Sequence, residues 1–170
     1  NRVAEKLTKL RKEYKVDRMT LSGGEPTLNR PWLLQVIKET MRLNPDHNAR
    51  FHVDTNGAIL TKDYIDELVQ AGMTDIGIDL KGLRLETFIK ITNITNKKLA
   101  NLYLKNAWSA TKYILDNYLE KVFLGVGIPY NKALISFEEI QEIGNKLARW
   151  DSNVQVTALD YRPEFRKSDL

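Results

Sequence analysis

Met19-Thr20-Leu21-Ser22-Gly23-Gly24-Glu25-Pro26-Thr27-Leu28 is the stretch on which the fold turns. Three β-prone residues run into two glycines, an acid and a proline, where no regular element continues, so the segment reads as a strand that ends in a loop. Just downstream, Pro31 suits a first helical turn, and Leu33, Leu34, Val36, Ile37 and Met41 share one side of a helix over residues 32–43. Just upstream, Val3, Leu7 and Leu10 follow helical spacing. The local pattern is therefore helix, strand, polar loop, helix.

The same unit recurs along the chain. Phe51-His52-Val53 is a strand running into Asp54-Thr55-Asn56-Gly57, and Thr61 caps a helix that stops at Gly72. Residues 76–80 form a strand ending at Lys81-Gly82. The polar stretch 84–106 reads as a connection longer than a plain strand-to-helix loop. A helical region over 99–118 leads to an apolar strand over 122–128 closed by Pro129. Ser136 and Glu139 make a capping box for the next helix, and residues 154–159 supply a fifth strand. Strands alternating with helices of this length pair in parallel, which leaves an open doubly wound sheet or a barrel-like β/α array. In both, ligands gather beyond the carboxyl ends of the strands.

Composition removes several function classes. The chain has 170 residues, 42% hydrophobic and 28% charged, and its apolar runs fall far short of the ~20 residues that span a bilayer, so a single soluble domain over 1–170 is expected. It contains no cysteine. Disulfides, a thiol nucleophile and any thiolate-held zinc or iron–sulfur site are thus excluded from this chain's own residues. The net charge of +4, from 26 Lys and Arg against 22 Asp and Glu, is too mild for a nucleic-acid footprint. Residues 1–18 hold seven basic residues (Arg2, Lys6, Lys9, Arg11, Lys12, Lys15, Arg18) against Glu5, Glu13 and Asp17, an excess equal to the whole net charge and read as a solvated helix face. With neither an initial Met nor a signal peptide, the chain reads as cytoplasmic and as part of a longer protein.

The residues after each strand decide function. Ser22, Gly23 and Gly24 offer a backbone that approaches a ligand closely, and Glu25 an acceptor for an ammonium group; a tight turn is the plainer reading, and no P-loop lysine follows. Asp54 and Asp79 stand at strand ends, where a carboxylate holds ribose hydroxyls, joins a hard cation, or merely caps a helix. Lys81 lies two positions after Asp79, so the two share a face and can pair across a site. His47 and His52 lack a metal-like partner and read as surface or packed residues.

Leu21-Ser22-Gly23-Gly24-Glu25-Pro26-Thr27-Leu28, Asp54-Thr55-Asn56-Gly57 and Asp79-Leu80-Lys81-Gly82, in this order and spacing, resemble the radical S-adenosylmethionine (SAM) superfamily, and within it the activating enzymes of glycyl-radical enzymes such as pyruvate formate-lyase. The resemblance implies a partial (β/α)6 barrel whose first strand and CxxxCxxC cluster loop precede the sequence given. It implies that Ser22, Gly23, Gly24 and Glu25 hold the methionine end of SAM, and that Asp54, Asn56, Asp79 and Lys81 form polar contacts around its carboxylate and ribose. Asp54, Thr55 and Asp79 would also frame a monovalent cation. The implied chemistry is reductive cleavage of SAM by a 4Fe-4S cluster to a 5′-deoxyadenosyl radical that abstracts a substrate hydrogen. The implied partners are an electron donor such as flavodoxin or ferredoxin and a glycyl-radical enzyme, with no membrane and no nucleic acid. A superfamily member acting on a small molecule or RNA nucleoside, and a cluster-free α/β module binding a nucleotide-like ligand, are the alternatives.

Overall fold

A computed structural model describes residues 2–160. Helix α1 (Arg2–Tyr14) leads into strand β1 (Arg18–Leu21), and after a 3-10 turn at Pro26–Leu28 the chain alternates α2 (Arg30–Leu43), β2 (Arg50–Thr55), α3 (Lys62–Ala71) and β3 (Asp75–Asp79). Two helices follow, α4 (Leu85–Thr92) and α5 (Lys97–Asn117), then β4 (Phe123–Tyr130), α6 (Phe137–Trp150) and β5 (Gln155–Asp160). All strand pairs are parallel and the sheet order is β1-β2-β3-β4-β5.

That order settles the architecture. A doubly wound sheet reverses direction at a switch point; here each crossover steps the same way. Right-handed crossovers in one direction put their helices on one side of the sheet. Met19, Phe51, Val53, Ile76, Ile78, Leu124, Val126 and Ile128 alternate along the strands and are buried beneath those helices. Their neighbours of opposite parity, from Arg18 to Leu159, line the other face. Each fully buried Ile or Phe in this layer contributes ~1.5–3 kcal/mol relative to an exposed side chain.

Several local expectations change. The stretch read as a long connection contains α4, whose Phe88 and Thr87 are buried. The signal was weak because this helix is short and its cap comes from far away in sequence. Glu139 accepts the Leu83 and Arg84 amides at 2.8 and 2.9 Å and the Thr87 hydroxyl at 2.6 Å, so a carboxylate on α6 caps the start of α4. The Ser136 hydroxyl does accept the Glu139 amide, but Glu139 spends its own side chain on α4, so only half of the capping box forms. Thr61 sits at the N-cap of α3 without capping it through its side chain. Two of the seven basic residues near the start are also tied inward: Arg11 forks onto Asp46 at 2.6 Å and holds its carboxyl down to about 2, and Arg18 pairs with buried Asp75. On the outer layer, the Trp108 indole donates to the Gly82 carbonyl and meets Trp150 edge-on at 5.7 Å, while the Lys146 ammonium lies 4.2 Å from the Trp108 ring centroid.

Burial alone pushes the Glu139 carboxyl up, but the Thr87 hydroxyl, the two amides and the Arg84 guanidinium outweigh it and hold the group below its ordinary value. A depressed folded-state value stabilises above the unfolded pKa near 4.5 and ceases to do so as pH falls through the folded value. Glu139→Gln should therefore lower unfolding free energy by about 2 kcal/mol at pH 7 in urea titrations, with the gap to wild type closing as pH falls from 4.5 through the lower folded-state value.

Candidate functional site

The open face carries a trough of about 240 Å³ bordered by Arg18, His52, Asp54, Asp79, Phe123 and Gly125. Its floor follows from strand register. Asp54 on β2 stands opposite Gly77, Gly77 opposite Gly125, and Asp79 opposite Gly127. A Cβ on Gly77 would lie 2.5 Å from Asp54 Oδ1, and one on Gly127 would lie 2.4 Å from Asp79 Oδ1. Both carboxylates thus lie over neighbouring glycines, which leave them room that any other residue would occupy.

Each carboxylate is also held from one side. His52 Nε2 is 2.7 Å from Asp54 Oδ1, and Lys81 Nζ donates to Asp79 Oδ2 at 2.9 Å. With both carboxylates half-exposed, their remaining oxygens face solvent in the trough. The Asp79–Lys81 pair is the one the two-residue spacing predicted. The same argument applies to His52 and Asp54, also two apart on one strand, yet His52 reads as a surface or packed residue from sequence because a lone histidine carries no ligand signal. Its other ring nitrogen, Nδ1, is buried without a hydrogen-bond partner, a condition uncommon in structural interiors.

The loop after β1 takes its shape from Gly23 and Gly24, at φ +86° and +56°, a conformation that favours glycine. Ser22, Gly23 and Gly24 are exposed at the carboxyl end of the sheet. Glu25 occupies a different position from its neighbours. Its Oε1 accepts from the Thr27 amide and hydroxyl and from the Thr55 hydroxyl at 3.1, 2.6 and 2.7 Å, and its Oε2 accepts from the Asn56 amide at 2.8 Å. Glu25 clasps the β1 loop to the end of β2, so most of its acceptor capacity is used within the chain. Asn56 Oδ1 closes its own turn by accepting from the Ala58 amide. Thr55 is buried on the face opposite Asp54, with its hydroxyl spent on Glu25 and on the Gly57 amide. Of the three residues expected around a cation, Asp54 and Asp79 face the trough and the Thr55 hydroxyl does not. Among the described residues no group of three or more His, Cys, Asp or Glu is placed to hold a metal ion.

The chain's residues suit a polar ligand better than a cluster. An exposed glycine loop, two half-free carboxylates and one ammonium converge at a single end of the sheet, whereas no cysteine is available as a cluster ligand.

Comparison with known proteins agrees with this layout. Residues 1–152 match the profile of the Radical SAM superfamily. A candidate glycyl-radical enzyme activating enzyme from Methanocaldococcus jannaschii is 28% identical over 155 residues, covering 91% of this chain and 54% of that protein, so the chain spans about half of this relative's length. A candidate GTP 3′,8-cyclase from Saccharolobus islandicus is 33% identical over 88 residues, 52% of this chain and 27% of that protein. Among solved structures, HydG, a maturase of the [FeFe]-hydrogenase, superposes with a TM-score of 0.66 at 15% identity over 94% of this chain and 35% of its own. Coproporphyrinogen III oxidase HemN from Escherichia coli superposes with a TM-score of 0.62 at 14% identity over 98% of this chain and 40% of its own.

Gly77→Ala and Gly127→Ala should each turn the adjacent carboxylate away, breaking the His52–Asp54 and Asp79–Lys81 bonds respectively, at a cost below about 1 kcal/mol because the displaced group is the far end of a side chain. Gly125→Ala, whose added methyl meets nothing closer than 3.7 Å, should leave both bonds in place. Crystal structures and thermal melts of the three variants check this.

Proposed function

The chain belongs to the radical SAM superfamily, whose members use SAM and a 4Fe-4S cluster, and on that premise we propose that it is the SAM-binding core of a glycyl-radical-enzyme activating enzyme. The observation that carries this reading is the convergence of Ser22-Gly23-Gly24, Asp54 and the Asp79–Lys81 pair at the carboxyl end of one parallel sheet. The activating-enzyme assignment rests on the relative from Methanocaldococcus jannaschii, which matches across nearly the whole chain.

In this reading the Gly23 and Gly24 backbone approaches the methionine end of SAM. Glu25 fixes the shape of that loop through its four donors and adds its negative charge behind it. Asp79, oriented by Lys81, accepts from hydroxyl groups of the ribose; Lys81 itself offers an ammonium to the SAM carboxylate. Asp54, oriented by His52, lines the adjoining side, and Asn56 sets the turn that follows it. A 4Fe-4S cluster, whose cysteine ligands this chain does not itself provide, would supply the electron for reductive cleavage of SAM and so a hydrogen-abstracting 5′-deoxyadenosyl radical. The sheet and its helical layer hold the ligand away from water on one side. The partners proposed are an electron donor of the flavodoxin or ferredoxin kind and a glycyl-radical enzyme. The shorter match to GTP cyclases favours a small-molecule substrate as the second reading.

In the full-length protein, Asp79→Asn should weaken SAM binding about tenfold by calorimetry with an unchanged melting temperature. Glu25→Gln should weaken it too, but should also lower unfolding free energy by ~1–3 kcal/mol, because an amide cannot accept at both ends of the clasp. The activity itself is tested by anaerobic incubation of reconstituted full-length protein with SAM, a reductant and a glycyl-radical enzyme. A glycyl-radical EPR signal supports the proposal, while SAM cleavage without that signal turns the assignment to the small-molecule reading.

A further inference from the structure

The half of the trough nearest the amino ends of the strands is used by none of the residues assigned to SAM. Its dominant group is Arg18. The Arg18 Nη2 donates to Asp75 Oδ1 at 2.7 Å, and the other Asp75 oxygen accepts from the Thr74 hydroxyl at 2.5 Å, so a buried carboxylate fixes the guanidinium from behind. The guanidinium carbon lies 5.6 Å from the centroid of the Phe123 ring, which is itself 43% exposed. One N–H is spent on Asp75. The second Nη2 N–H and the Nε and Nη1 donors of a half-exposed side chain remain for the trough. A planar fork braced by a carboxylate and an aromatic ring is suited to recognising another carboxylate or a phosphate.

The floor beside it is open for a reason the SAM-site carboxylates do not supply. Gly77 and Gly127 make room for Asp54 and Asp79, but a Cβ on Gly125 would meet only Phe123 Cε1, at 3.7 Å. A mid-strand glycine costs ~0.5–1 kcal/mol and marks a place where something approaches the backbone closely. Along β3, Asp75 and Asp79 are four residues apart, about 13 Å at ~3.3 Å per residue. The lane therefore has the Arg18 donors, braced by buried Asp75, at one end and Asp54 and Asp79 at the other.

We infer that this lane seats the substrate, and that the substrate carries an anionic group, a carboxylate or phosphate, held by Arg18, with its uncharged part lying across Gly125 toward Asp79. This rests on the reading that SAM occupies the carboxyl rim, and it takes the small-molecule substrate of the second reading. Directed N–H groups of Arg18 hold the anionic group, and the acids at the far end disfavour it there, which sends the uncharged hydrogen-bearing part of the substrate toward the rim. Arg18 is a specificity-determining residue, and Gly125 sets the clearance.

The test is a ligand-observed NMR titration of the full-length protein with butyrate, and with butylamine as a probe of similar length and opposite charge. Butyrate should bind, the amine should not displace it, and Arg18→Lys should weaken butyrate at least tenfold while SAM affinity stays within twofold. Should Arg18→Lys fail to fold, Gly125→Ala serves as the second variant and should weaken butyrate at least threefold. Absent butyrate binding, equal binding of the amine, or undiminished butyrate binding in the folded variant overturns the inference. Failure of the SAM-site reading shows separately, as unchanged SAM affinity in Asp79→Asn.

Discussion

Every crossover in this sheet steps in the same direction, and from that one constraint the rest of the molecule follows. With the helices committed to one face, the apolar positions of β2, β3 and β4 must all point there, and the alternate positions are released from any duty to the core. The released face is where Arg18, His52, Asp54, Asp75, Asp79 and three glycines stand. Such a mixture would be costly in a doubly covered parallel sheet, whose strands are apolar on both sides. Here it is tolerated because the face is open, with the Asp54 and Asp79 carboxylates half-exposed, and is not a core.

The charged groups on that face are organised in matched pairs. Asp54 has His52 beside it and Gly77 beneath it; Asp79 has Lys81 beside it and Gly127 beneath it. In each case a nearby residue on the same chain segment supplies the orienting hydrogen bond, and the next strand supplies the space. The arrangement preorganises two carboxylates in half-exposed positions without burying either charge, which avoids the desolvation cost that a closed site would impose. Glu25 works by the opposite principle. Its charge is consumed by four donors and its product is the shape of a loop.

Much of this was legible in the sequence, for identifiable reasons. The alternation of strand and helix, the loop signals at Gly23-Gly24 and Gly72, and the Asp79–Lys81 pairing all depend on neighbours within a few residues. What was not legible depends on register or on distant partners. Arg18 looks like one more lysine-helix cation until β1 is placed two strands from β3, where Asp75 receives it. Helix α4 hides because its cap, Glu139, comes from more than fifty residues away. His52 is the instructive omission, since the two-residue spacing that pairs Lys81 with Asp79 applies to it without change. The roles of Gly77 and Gly127 emerge only once a cross-strand neighbour is known.

The three tryptophans of the chain, Trp32, Trp108 and Trp150, all lie on helices, and none borders the trough. Trp108 and Trp150 share the cation of Lys146, whose ammonium burial makes easier to deprotonate. Ultraviolet emission from this protein is therefore a gauge of the helical layer. Two of the three emitters sit where α5 docks against α6, so the signal reports the assembly of that layer from the side of the sheet opposite the trough.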